Sequence, residues 1–213
     1  MTEAKTIPGG TAKPSASFFQ DILKPTLVLF LVGLIVTALL AWVYGITRPI
    51  IEAREAADLA ASLSRVLPAA ETFEPVKTAQ TLATQGYAVP STVTAVYPGS
   101  AGGPAGYAVA VSPKGYGGTI SMLVGVGPDG AVTGVTILTM NETPGLGTNA
   151  SKPDFLSQYA GLSVADAPAV VKTQTGRKGD VQALTGATVT SRAVTAGIAD
   201  ALAMAQTLIE KEG

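Results

Sequence analysis

Between Lys24 and Arg48 the chain carries no charged residue, and the stretch from Leu27-Val28-Leu29-Phe30-Leu31-Val32 through Leu39-Leu40-Ala41-Trp42 is an apolar run of about 21 residues. At about 1.5 Å per residue, a helix of that length crosses a hydrocarbon core of roughly 30 Å. Trp42 and Tyr44 stand near its C-terminal end, where amphipathic rings favour a membrane interface. A cleaved signal peptide would have a shorter apolar region followed by a small-x-small site. Here Arg48-Pro49-Ile50-Ile51 leads straight into a charged helical stretch, which favours an uncleaved anchor. Charge does not orient it: Lys5, Lys13 and Lys24 on one side balance Arg48, Arg54 and Arg65 on the other.

The pattern implies a polar tail over residues 1–20, a transmembrane helix over 21–47, a juxtamembrane stalk helix over 48–70 and one domain over 71–213. In the stalk, Ile51, Glu55, Leu59, Leu63, Val66 and Leu67 recur at helical spacing up to Pro68, with Glu55 and Asp58 on a solvated face. Strands are expected over Val93–Tyr97, around Tyr107, Val109 and Val111, over Ile120–Val126 and over Val132–Leu138. Gly127-Pro128-Asp129-Gly130 supplies the hairpin turn between the last two. Asp154–Tyr159 reads as a short helix. Ala193–Ile209 reads as a longer one with Val194, Ile198, Ala201, Leu202, Ala205 and Leu208 on one face. Ser163–Gly179 shows no periodic signal. Strands followed by helices make this an α+β domain, with an antiparallel sheet and flanking helices.

Cysteine and histidine are both absent, so the chain alone cannot build thiolate-ligated iron–sulfur clusters, His-ligated haem, Cys- or His-based zinc sites or a Ser-His-Asp triad. Redox chemistry would have to reside in an organic cofactor or a partner. With 14 basic and 15 acidic residues and no basic run, nothing points to nucleic acid. The segment Leu184-Thr185-Gly186-Ala187-Thr188-Val189-Thr190-Ser191 gathers four hydroxyls around a Gly-Ala pair just before the last helix. A phosphoester on Thr188 needs a hydroxyl, small neighbours and donors for the phosphate oxygens; Gly186, Ala187 and the free amides of a helix start supply the last two. The competing reading is an ordinary helix cap by Thr188, Thr190 or Ser191, with Gly186 in the preceding turn. Arg192 follows the motif and could hold a phosphate, whereas Lys152 reads as solvated.

A second constellation, Asn141-Glu142-Thr143-Pro144-Gly145-Leu146-Gly147, leaves the strand that ends near Met140 in a tight, defined loop. Such a loop could approach a flat ligand closely, or simply be a structural turn. Its order in the chain is more specific than either motif: the anchor, Lys114-Gly115-Tyr116-Gly117-Gly118, this loop, Phe155-Leu156-Ser157-Gln158-Tyr159-Ala160-Gly161, then Thr185-Gly186-Ala187-Thr188. From about residue 20 onward that order resembles the family of FMN-binding G subunits of Rnf ion-translocating electron transport complexes. The related C subunit of the sodium-pumping NADH:quinone reductase shares the architecture.

The resemblance implies an FMN-binding domain carrying FMN as a phosphoester on Thr188, attached by a separate flavin transferase. It further implies a cytoplasmic N-terminus, an extracytoplasmic flavin domain on the cell membrane, and integral membrane, iron–sulfur and flavin subunits as partners. By the same carry-over, Glu142, Thr143, Leu146 and Gly147 would contact the ring. Thr185, Gly186 and Ala187 would shape the phosphate end, and Gly115, Tyr116, Gly117 and Gly118 would line the site. The expected role is electron transfer in a ferredoxin:NAD oxidoreductase complex coupled to Na⁺ or H⁺ movement, with little activity alone. Two alternatives stand beside it: the C subunit of the quinone-reducing pump, and an anchored binding or assembly module without flavin. One departure concerns attachment: the family's motif has an acidic residue three positions before Thr185, where this chain has Gln182, and the nearest upstream carboxylate is Asp180.

Overall fold

The computed structural model describes residues 16–212. The polar tail expected over residues 1–20 lies, up to residue 15, outside the described residues. Helix α1 runs unbroken over Ala16–Val66 and contains Pro25 and Pro49, so the expected anchor and stalk are one helix. A proline removes one backbone donor but does not by itself end a helix whose flanks remain bonded. Around Pro49, the Thr47 hydroxyl donates to Val43 O at 2.9 Å, and Arg48 Nε pairs with Glu52 Oε1 one turn on at 2.7 Å. The stretch up to Ala56 forms one unit and the chain from Ala57 a second. In the first, the large apolar side chains from Ile22 to Ile51 are all exposed, and the helix is long and apolar enough to cross a membrane.

The second unit is built on a twisted antiparallel sheet. β1 (Thr72–Phe73) and β2 (Lys77–Thr78) both pair with β3 (Val93–Ser100), and β3 pairs in turn with β4 (Pro104–Val111), then β5 (Ser121–Val126), then β6 (Val132–Thr139). All these pairings are antiparallel. The four strands expected from alternation are present, and the Gly127–Gly130 turn closes the last hairpin through Gly130 N to Gly127 O at 3.0 Å. β1, β2 and the six-residue α2 (Ala79–Thr84) are too short to leave a periodic signal.

Both faces of the sheet are covered, which is why β5 reads as an almost continuous apolar run. On one face lies α4 (Thr188–Glu212), burying Val194, Ile198, Ala201, Leu202, Ala205 and Leu208 against Val96, Val109, Met122 and Val124. On the other, the end of α1 and the residue after it bury Leu63, Val66 and Leu67 against Ala108 and Leu123. The sheet makes room for that helix end with glycines: a Cβ on Gly125 would overlap the Val66 carbonyl, and one on Gly134 would sit 3.1 Å from Val66 Cα. The Thr133 hydroxyl then donates to Val66 O, a carbonyl the end of the helix leaves free.

Between sheet and α4 the chain passes through α3 (Pro153–Leu156) and a 3-10 turn at Ser157–Tyr159, together the short helix expected there. The stretch without periodic signal contains β7 (Ala169–Val171), which pairs in parallel with β8 (Asp180–Gln182) just beyond it to form a small ribbon. Charge pins it. Asp166 Oδ2 accepts from Ser163 N at 2.8 Å and pairs with Lys178 Nζ at 2.9 Å, while Asp180 accepts from the Thr175 amide and hydroxyl and from Arg177 Nε. The Lys178 ammonium, with the Ser163 donors, holds the Asp166 carboxyl down to about 2. The Thr175 hydroxyl and amide, then Arg177, lower that of Asp180.

This packing makes two outcomes measurable. Gly125→Ala should destabilise the full-length protein in detergent by about 1–3 kcal/mol, the usual range for overpacking, because Val66 must move. An unchanged denaturant midpoint by circular dichroism would show that the helix end is not seated as described. For the ribbon, a carboxylate depressed from 3.8 to about 2 contributes stability present above the higher value and lost as pH falls through the lower. Amide exchange in 163–180, corrected for intrinsic rates, should therefore stay slow at pH 5 and quicken between about 4 and 2. In Asp166→Asn it should already be quick at pH 5.

Candidate functional site

The loop that follows β6 is locked by its own backbone. Gly145 adopts φ 76°, Leu146 N and Thr148 N both donate to Thr143 O at 3.1 and 3.3 Å, and Asn149 Nδ2 donates to Gly145 O at 2.7 Å. At its start Glu142 is buried, only 6% exposed. Its Oε1 accepts from the amides of Tyr116 and Gly117 at 2.8 and 3.1 Å, and its Oε2 accepts from the Thr190 hydroxyl at 2.8 Å. One carboxylate thus ties together the 115–117 turn, the 142–147 loop and the first turn of α4. The glycines around it are there for close approach. A Cβ on Gly115 or Gly117 would overlap Glu142 Oε1 or Asn141 O, and one on Gly147 would lie 2.6 Å from Glu142 Oε2.

The turn into α4 is held with equal care. Ala187 N donates to Leu184 O at 3.0 Å, Gly186 adopts φ 76°, and Ser191 Oγ accepts from Leu184 N at 3.0 Å while donating to Ala187 O at 2.9 Å. Behind it, Tyr159 Oη bonds Thr195 Oγ1 at 2.7 Å, and Thr195 Oγ1 donates to Ser191 O at 2.8 Å. α4 therefore begins at Thr188, five residues before the expected start at Ala193. Low propensity in this Thr-rich turn is offset by these side-chain bonds. The cap expected from Thr188, Thr190 or Ser191 is not formed by any of them. Thr190 bonds Glu142, Ser191 bridges the turn, and the Thr188 hydroxyl is exposed and makes no hydrogen bond among the described residues. The first amide of the helix to find a carbonyl is that of Ser191, which donates to Ala187 O at 3.0 Å. The amides of Thr188, Val189 and Thr190 are left open, as at any helix start.

These segments enclose a cavity of about 480 Å³. Its walls are Tyr116 on one side, Glu142, Thr143, Leu146 and Gly147 on another, and the run Gly186–Thr190 on the third. Of the candidate residues, Thr188, Gly186, Ala187, Glu142, Thr143, Leu146, Gly147 and Tyr116 line it; Thr185, Gly115, Gly117 and Gly118 do not, and Gly115 and Gly117 act instead by letting Glu142 approach. Val189 and Thr190 line it as well, Thr190 having been considered only as a helix cap; their place in the first turn after Thr188 was the available signal. Tyr116, Leu146 and Val189 are large apolar groups left exposed, at 74, 43 and 51%. Arg192 and Lys152 are exposed and outside the lining. Asp180 is committed to Thr175 and Arg177, and Gln182 is exposed with its backbone N–H donating to Gln158 Oε1 at 2.7 Å.

The cavity's size, three apolar groups at its walls, open amides and a free hydroxyl fit a flat aromatic ligand with a phosphate tail. Comparison with known proteins agrees. Residues 115–203 match a family model described as the FMN-binding domain, and residues 15–66 match one described as the RnfG N-terminal region. The chain is 36% identical over 186 residues to the G subunit of the Na(+)-translocating ferredoxin:NAD(+) oxidoreductase complex of Acetobacterium woodii, covering 84% of this chain and 89% of that protein. It is 51% identical over 96 residues to the G subunit of the proton-translocating ferredoxin:NAD(+) oxidoreductase complex of Clostridium ljungdahlii, covering 45% of this chain and 51% of that one. A crystal structure of the C subunit of the Na(+)-translocating NADH-quinone reductase from Parabacteroides distasonis aligns with TM-score 0.46 and 26% identity, over 54% of this chain and 62% of that one.

Because Glu142 satisfies three donors from two other segments, two amides of the 115–117 turn and the buried Thr190 hydroxyl, Glu142→Ala should destabilise the protein by about 2–4 kcal/mol, as donors left unpaired do. Glu142→Gln keeps the Oε1 acceptor, and the Thr190 hydroxyl can turn to accept from the new amide. It should cost no more than about 1 kcal/mol by the same rule. Equal losses in denaturant unfolding would show that hydrogen bonding is not what Glu142 contributes to the fold.

Proposed function

Since this chain belongs to the family of G subunits of Rnf-type ion-translocating ferredoxin:NAD oxidoreductase complexes and carries the family's FMN-binding domain, we propose that it is the complex's electron-carrying subunit with FMN joined to Thr188 as a phosphoester. The observation that carries the covalent assignment is the Thr188 hydroxyl: exposed, without a hydrogen-bond partner among the described residues, on the cavity wall and at the first residue of α4. Relative to FMN and the free side chain, forming the ester releases one water, with the Thr188 Oγ1 replacing one phosphate hydroxyl. A dedicated flavin transferase performs the attachment.

When bound, the flavin supplies reversible uptake of electrons and protons; the chain's residues do the rest. The open amides of Val189 and Thr190 bind phosphate oxygens, helped by the positive end of the helix dipole. Arg192, one turn beyond Thr188, adds a cation on the solvent side. Tyr116, Leu146 and Val189 offer apolar surface to the ring and limit water. Thr143 and the backbone of the 142–147 loop offer polar groups to its edge. Glu142, held by three protein donors, stands in this wall.

The apolar stretch of α1 anchors the protein in the cell membrane. We place the N-terminus in the cytoplasm and the flavin domain outside, where a covalent bond keeps a cofactor that could not be replaced from a cytosolic pool. The partners are the integral membrane, iron–sulfur and flavin subunits of the complex. The match of residues 15–66 to the RnfG N-terminal region favours this complex over the quinone-reducing pump.

The test is the intact mass and peptide map of the protein from its native membrane beside a Thr188→Val variant. We expect an increment of FMN minus water on the peptide containing Thr188, absent from the variant. An unmodified Thr188 peptide from active membranes would remove the covalent assignment.

A further inference from the structure

The cavity beside Thr188 has a single acidic or basic residue in its walls, and that residue is an acid. Apart from Glu142, the lining groups are the Tyr116 phenol, hydroxyls, backbone and hydrocarbon. Lys114, Lys152 and Arg192, the cations nearest in sequence to the three walls, are exposed and do not line it. Glu142 forms no ion pair among the described residues; its partners are two amides and a hydroxyl, all neutral. A buried carboxylate without a cation is costly and uncommon.

The hydrogen bonds do not explain the charge. A glutamine at 142 has the same acceptor for the Tyr116 and Gly117 amides, and its amide group can donate to the Thr190 hydroxyl. Tying the three segments together therefore requires a side chain of this shape and one acceptor oxygen, not a negative charge. Sites that break a burial rule in this way are where function is to be sought.

We propose that the Glu142 charge sets the reduction potential of the ligand in this cavity, holding it low. The inference rests on the reading that FMN occupies the site. An oxidised flavin ring is neutral. Two-electron reduction with uptake of one proton leaves it with one negative charge, the electrons coming from the reductant and the proton from water. A fixed anion in the cavity wall raises the free energy of that product and leaves the neutral reactant nearly untouched. At an effective dielectric of about 20, unit charges about 6–10 Å apart change an equilibrium roughly ten- to a hundredfold. For a two-electron couple that is about 30–60 mV. Glu142 is on this account a potential-setting residue that acts through space while its hydrogen bonds hold it in place.

The experiment uses full-length protein carrying its cofactor, purified from native membranes as wild type, Glu142→Gln and Thr190→Val. Flavin content is measured first by mass and visible absorption, then the midpoint potential by spectroelectrochemical titration at pH 8. Glu142→Gln should raise the midpoint by about 30–60 mV, a ten- to hundredfold change in the reduction equilibrium. Thr190→Val removes a neutral donor that disperses the charge, so it should lower the midpoint. Opposite signs separate electrostatics from loosening of the loop, which would move both variants the same way. Should Glu142→Gln lose its flavin, Thr190→Val decides alone, and an unchanged or raised midpoint in it overturns the proposal. A flavin-loaded Glu142→Gln with unchanged or lowered midpoint overturns it too, as does an upward shift in both. Wild-type protein without flavin would instead remove the FMN reading on which the inference rests.

Discussion

The geometry of the site depends on one carboxylate. Glu142 bonds to groups 25, 26 and 48 residues away in sequence, and the three segments it joins share no strand pairing with one another. Two of those bonds are to backbone amides, which fix main-chain positions rather than rotamers. The third fixes the first turn of α4 through Thr190. Removing the acceptor would leave the buried Thr190 hydroxyl and two amides of the 115–117 turn without their shared partner, so the turn at 115–117, the loop at 142–147 and the helix start are effectively one structure.

That structure can be held because the scaffold behind it is rigid. The sheet is packed on both faces, by α4 on one and by the end of α1 on the other, so β5 and β6 cannot tilt without disturbing two cores. Glycine makes each close approach feasible: Gly125 and Gly134 admit the end of α1, and Gly115, Gly117 and Gly147 admit the loop around Glu142. None of these five has a positive φ. They are selected for the absence of a side chain rather than for unusual backbone.

Much of this was legible from local pattern. The apolar run, four strands, the Gly127–Gly130 hairpin and the buried stripe of α4 all follow from periodicity or turn chemistry, because each is determined within its own stretch of chain. What was not legible depends on distant partners. Nothing local to Thr188–Arg192 says that the helix has already begun there, since the bonds that start it come from Ser191 back to Leu184 and from Thr190 across to Glu142. The anchor and stalk were read as separate segments because the composition changes at Arg48, whereas α1 runs on through Pro49. The β7–β8 ribbon escaped notice because its strands have three residues each and are held by Asp166 and Asp180. Glu142 was read as a ring contact; its burial and its neutral partners emerge only in three dimensions.

The same contrast bears on which of four neighbouring hydroxyls the fold leaves open to the cavity. From Thr185 to Ser191 the chain presents Thr185, Thr188, Thr190 and Ser191, chemically near equivalents. Ser191 is fully buried and bridges the turn, and Thr190, 1% exposed, donates to Glu142, so neither is available. Thr185 is exposed and unbonded but does not line the cavity. Thr188 alone is exposed, unbonded and on the cavity wall, at the residue where open helix amides begin. Discrimination of this kind needs no difference in intrinsic reactivity. The fold withdraws two of the hydroxyls into structural bonds and leaves a third outside the cavity lining, so the position of Thr188 relative to Glu142 and Ser191 is what leaves its hydroxyl open on the wall.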